Sequence, residues 1–283
     1  VQYVLYLFCG FARSNALAPV FPPGYVSAKR GVRMDGRNPD EINFPPFETE
    51  DLRKNLARYL DNAFTAEGAA VASKVGNFKW GVYAFFDYDG EPIYVGQTNE
   101  QLRTRIRRHL TNQRTDAVAM SVLDPFEVYE IEVWPLPALQ DVSKPRSRTD
   151  PRWPTWEAAV DQLNALERKV YDRAIERSHF RAVLNEKDPP PAKIEMDFPL
   201  SFRDCIVSDE VHAIRSHPDF RIARRALIIA RLAQVIAERK VQGGLRRVML
   251  IQAKRLQWLA DRRYNALGGA ASVERKDGAD SDD

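Results

Sequence analysis

WGVYAFFDYDGEPIYVGQTNEQLRTRIRRHL, Trp80–Leu110, is the stretch whose reading decides the fold. Residues 80–86 and 92–97 are rich in aromatic and β-branched types, and Asp89-Gly90 between them is a strong signal for a tight hairpin turn. Past Gly96, Asn99 is expected to cap a helix in which Leu102, Ile106 and Leu110 recur every fourth residue. Arg103, Arg105, Arg107, Arg108 and His109 crowd the same helix, which is therefore apolar on one side and cationic elsewhere. A two-stranded ribbon with a tyrosine on each strand hands the chain to an arginine-loaded helix.

Working outward, Glu48–Phe64 reads as a lead-in helix with Leu52, Leu56, Tyr59, Leu60 and Phe64 on one face. Downstream, the connection Thr111–Pro125 is longer than most and leads to a third strand at Phe126–Leu136. Leu136–Pro154, with Lys144, Arg146, Arg148 and Arg152, is expected to be a mobile, solvent-facing insertion; phosphate contact is the alternative. Thr155–Arg177 reads as a second large helix, striped by Val160, Leu163, Leu166, Val170 and Ala174, with Glu167 beside the stripe. Pro189-Pro190-Pro191 closes the unit. The expected class is α+β: a small antiparallel three-stranded sheet flanked by helices, followed by a helical C-terminal region.

The expected organisation is an irregular segment over 1–47, the lead-in over 48–75, the sheet unit over 76–190, a basic helical region over 195–270 and a disordered acidic tail over 271–283. In the basic region two helices are read, Arg221–Gln242 and Leu245–Leu267, separated by Gly243-Gly244. From Arg221 to Arg263 twelve Lys and Arg residues face only two acids, Glu238 and Asp261. That imbalance points to nucleic acid, through Arg224, Arg225, Arg246 and Arg247 together with Arg103, Arg107 and Arg108. A solvated surface, or a dimer seam on the C-terminal helices, is the alternative.

The 283 residues carry a net charge of +3, with 44% hydrophobic and 29% charged, the composition of a globular protein with ample core. Two cysteines, Cys9 and Cys205, build neither a zinc cluster nor a disulfide framework and suit a reducing cytoplasm. No apolar run is long enough for a membrane span, and no membrane partner is expected. The chain opens on valine, and Met34 is the preferred true start over a non-ATG codon.

Gly81-Val82-Tyr83 and Tyr94-Val95-Gly96, with the turn between them and Arg105-x-x-x-His109 on the helix, resemble the GIY-YIG nuclease family over about residues 76–190. The resemblance implies a hydrolase that cuts DNA, double-stranded DNA above all, with Mg²⁺ or Mn²⁺. It assigns Tyr83 to position or deprotonate the attacking water, Tyr94 to support it, and Arg105 to clamp the scissile phosphate. His109 would orient phosphate or assist proton transfer, and Glu167 would hold the single metal, with Glu157 its rival. Asn185 looks like the asparagine that ties the end of the sheet, and Gly81 and Gly96 like residues admitting close backbone packing. The chain departs from the family pattern in the central valines, in Gln97 where many members carry lysine or serine, and in a long gap from Glu167 to Asn185.

The chemistry suits these residue types. Phosphodiester hydrolysis needs a positioned water, charge stabilisation and relief for the leaving oxygen. A metal-dependent DNA endonuclease is the expected function, and a non-cleaving nucleic-acid-binding protein on a nuclease scaffold is the alternative.

Overall fold

A computed structural model describes residues 48–65, 72–111, 122–241 and 243–269. The chain divides into two compact units, Val1–Phe44 and Pro45–Asp283. The first unit, the expected start at Met34, most of the connection after Thr111 and the acidic tail lie outside the described residues.

Within the second unit, helix α1 (Glu48–Asp61) is followed by a short ribbon, β1 (Ala63–Phe64) with β2 (Ser73–Lys74). Then come β3 (Gly81–Phe86), β4 (Pro92–Thr98), α2 (Leu102–Leu110), β5 (Glu130–Pro135) and α3 (Trp153–Arg177). β6 (Phe202–Cys205), α4 (Asp209–Arg215), α5 (Pro218–Glu238) and α6 (Gly243–Ala266) complete the described chain.

The sheet is antiparallel, as its sequence predicts, and runs β4-β3-β5-β6. It has one strand more than expected. Phe202-Arg203-Asp204-Cys205 lies in the stretch read as helical, yet it pairs with Glu130–Val133 and covers the edge of β5. Four residues without clean alternation carry too little signal for a strand; pairing with an otherwise bare edge supplies it.

β3 is buried along its whole length because both faces of the sheet are covered. Val82, Ala84, Phe86, Val95 and Trp134 pack with α3 residues Leu163, Leu166 and Val170. On the other face Tyr83, Phe85 and Ile131 pack with Leu56 and Leu60 of α1, Leu102 and Ile106 of α2, and Leu232 and Val248 of the C-terminal helices. Burying one such leucine or isoleucine stabilises by about 1.5–3 kcal/mol. α5 and α6 are thus layers of this core.

Several local expectations shift. Asn99 does not cap α2: Gln101 takes the cap position with no side-chain bond, while the Thr98 hydroxyl accepts the Glu100 N–H at 3.1 Å. α1 stops at Asp61, freeing Ala63 and Phe64 for the ribbon. The first part of the insertion after Leu136 is packed down, while most of residues 143–152 is exposed, as expected. Trp80 Nε1–H donates to the Val142 carbonyl at 3.1 Å, and the Lys79 N–H to Gln140 Oε1 at 2.9 Å.

The basic helices are docked by charge. Asp87 and Asp89 in the β3–β4 turn, with Glu127 before β5, receive Arg221, Arg225, Arg255 and Arg262. Asp87 is 2% exposed, and Arg225 donates to it at 2.9 Å and to Glu127 at 3.0 Å. Arg224 forms a two-pronged pair with Asp124 at 2.8 and 2.9 Å. Arg247 reaches Asp188 at 2.7 Å and the Asn185 carbonyl at 2.8 Å. Of the arginines expected to meet nucleic acid, Arg225 is buried among these acids, and Arg224 and Arg247 are engaged by carboxylates of the same chain while partly exposed. Exposed Arg246 keeps the role open to it.

Candidate active site

β4 is an edge strand, so helices from opposite faces of the sheet approach each other around it. α2 arrives from one face and α3 from the other, and the predicted catalytic residues meet in that gap.

Tyr83 and Gly96 are direct cross-strand partners. The phenol lies across the glycine: a Cβ on Gly96 would stand 2.5 Å from the Tyr83 hydroxyl oxygen, a distance no side chain tolerates. The glycine of the second tripeptide is therefore what lets the tyrosine of the first lie flat. Gly81 has a similar reason, since its Cβ would fall 2.9 Å from the Trp134 carbonyl oxygen on β5.

His109 sits over both tyrosines, with ring centroids 5.8 Å from Tyr83 and 5.2 Å from Tyr94. Tyr83 is fully buried, and burial pushes its hydroxyl well above the usual phenol range, with Tyr94 adding to the shift and Arg105 opposing it. Arg105, half-buried one turn before His109, thus acts on the same hydroxyl.

Glu167 reaches the site from α3. It lines a cleft with Tyr94 and Asn185, and no ion pair among the described residues engages it. Burial pushes its carboxyl up to about 7, against the pull of Arg105. Glu157, its rival, is exposed near the Lys193–Asp161 pair at the other end of α3. Of the two, Glu167 is the one that lines the cleft beside Tyr94.

Asn185 behaves as its resemblance implied. Its Oδ1 accepts the Val95 N–H at 3.1 Å and its Nδ2 donates to the Val95 carbonyl at 2.7 Å. The side chain substitutes for a neighbouring strand on the free edge of β4, and the Leu184 N–H extends the pairing to the Ile93 carbonyl at 2.7 Å.

The α2 cations divide. Arg103 is engaged by Asp61 at 2.6 Å and the Leu60 carbonyl at 3.1 Å, so it fastens α2 to α1 rather than serving as an expected nucleic-acid contact. Arg108 pairs with Glu100 at 3.0 Å. Arg107 is exposed and stays available.

Two features escaped the sequence. The acids Asp87, Asp89, Asp124 and Glu127, which neutralise the basic helices, lie far from them in the chain; their clustering at turns was the available signal. Asn164, three residues before Glu167 on α3, donates no signal by type alone, yet it accepts the Gln97 amide at 2.9 Å.

Residues 79–138 match the family model described as the GIY-YIG catalytic domain. The match supports a GIY-YIG nuclease-type domain over that part of the chain, and the nucleases of that family act on phosphodiester bonds. No curated protein and no solved structure matches the chain.

Proposed function

We propose that the protein is a divalent-metal-dependent endonuclease that hydrolyses DNA, double-stranded DNA in particular. The observation that carries this reading is the convergence of Tyr83, Tyr94, Arg105, His109 and Glu167 from four elements, β3, β4, α2 and α3, around the β4 edge.

The residues present fit one cation. Among the described residues no three acids, histidines or cysteines are grouped so that they could hold a metal ion by themselves. A single carboxylate in an open cleft suits Mg²⁺ or Mn²⁺ of the kind that keeps several waters and gains further ligands from substrate phosphate. When bound there by Glu167, such an ion supplies Lewis-acid stabilisation of negative charge on phosphate and leaving oxygen.

The remaining work falls to the protein's own groups. Tyr83, held neutral by burial, orients the attacking water by hydrogen bonding rather than acting as a preformed phenolate. Tyr94 and His109 narrow the site and contact water or phosphate. Arg105 presents paired donors to the phosphate as charge gathers on it.

The test is nicking of supercoiled plasmid by wild type and Glu167→Ala, with Mg²⁺ and with chelator. Cutting by metal-loaded wild type alone supports the proposal. DNA binding without cutting in either protein would favour the non-cleaving scaffold instead.

A further inference from the structure

A cavity of about 270 Å³ opens beside Arg105, between the end of β4 and α3. Val160 and Leu163 give it an apolar wall, and Gln97 and Asn164 give it a polar floor. Gln97 Nε2 donates to Asn164 Oδ1 at 2.9 Å, while Gln97 Oε1 is buried and has no hydrogen-bond partner among the described residues. Burying such an acceptor unpaired is costly, so it marks a place where a ligand completes the structure.

Two primary amides joined by one hydrogen bond retain one donor face and one acceptor face, whichever way each amide is turned. That is the complement of a base edge presenting a donor beside an acceptor. On the rim, Glu100 is held by Arg108 at 3.0 Å, and its negative charge turns phosphate away from that side. Phosphate is thereby directed to the Arg105 end of the cavity and the base to the amide end.

We infer that this groove seats the nucleotide flanking the scissile phosphate, and that Gln97 and Asn164 select its base, favouring adenine. The inference rests on the endonuclease reading of the neighbouring site. In the major groove adenine alone offers a donor and an acceptor on one base, N6–H and N7; guanine offers two acceptors, cytosine one donor, and thymine one acceptor beside a methyl group. Gln97 then serves base selection in this chain.

The experiment is cleavage of a duplex library with Mg²⁺, randomised across the cut region, with the cut ends sequenced. Wild type, Gln97→Ala, Asn164→Ala and Asn164→Asp are compared. Wild type enriches adenine about tenfold at one flanking position. Both alanine variants flatten that position, and Asn164→Asp, which replaces the amide donor by acceptors, moves the preference toward cytosine. A flat wild-type profile, or adenine enrichment that survives in Asn164→Ala, overturns the inference. If no protein cuts, the endonuclease reading fails separately, and the groove is tested by titrating adenosine and thymidine 5′-monophosphates while following the Gln97 and Asn164 side-chain amide resonances. Larger shifts with the adenosine nucleotide support the groove; equal or absent shifts sink it.

Discussion

Glu167 carries the most informative titration in the molecule. Its folded carboxyl, pushed up to about 7 by burial, holds a proton that the unfolded chain releases near its ordinary value of 4.5. Between those two values the folded state binds more protons, so stability falls as pH rises through the window, by about 3 kcal/mol in all. Glu167→Gln removes that loss: urea unfolding without metal should show the variant more stable than wild type at pH 8 and similar at pH 4. Mg²⁺ should raise the wild-type Tm increasingly from pH 6 to 8 and leave the variant unmoved. Gly96→Ala is predicted to leave circular dichroism near native while displacing the Tyr83 hydroxyl, with nicking down at least about 100-fold, because small misplacements of a positioning group are costly in rate. The tyrosines, the arginine and the glycines were legible because each motif spans a few residues on one hairpin or on the helix that follows it. Asn164 was not, because its partner lies 67 residues away.

At the level of elements, the β3–β4 turn is clamped by the C-terminal helices. Asp87 accepts from Arg221 and Arg225 and lies 3.7 Å from Arg255, all at 4% side-chain exposure or less. Burial also pulls the Arg255 guanidinium down to about 10. Removing the shared carboxylate leaves buried cations without compensation, so Asp87→Ala should cost about 3–5 kcal/mol in chemical denaturation. A loss under 1 kcal/mol would show that the turn is not held in this way. The helices themselves were readable from their apolar periodicity, with ends shifted by a few residues. Their docking partners were not, because the charge excess on α5 and α6 looks the same whether it meets phosphate or carboxylates distant in the chain.

For the whole molecule, the division of cations makes a quantitative claim about DNA binding. Exposed Arg107 and Arg246 are candidates for phosphate contact, and loss of each should reduce the slope of log affinity against log salt by about 1. Arg225→Ala should instead lower stability and leave that slope unchanged. Truncation after Pro191 removes β6 together with α5 and α6, exposing the Asp87–Glu127 acids and the β5 edge. The shortened chain should therefore lose its cooperative unfolding transition, not merely its affinity for DNA.

Sequence alone determined the hairpin, the order of the first helices and strands, the GIY-YIG motif and the residues offered to catalysis. All of these are local, set by turn chemistry, side-chain period and spacing within one or two elements. Tertiary structure decided that Phe202–Cys205 is a strand, that α5 and α6 belong to the core of the sheet, and which arginines face inward. It also placed Glu167, and not Glu157, in the cleft beside Tyr94. Those outcomes depend on which distant groups are brought together and stripped of water, and a residue's neighbours across the fold are not written in its neighbours along the chain.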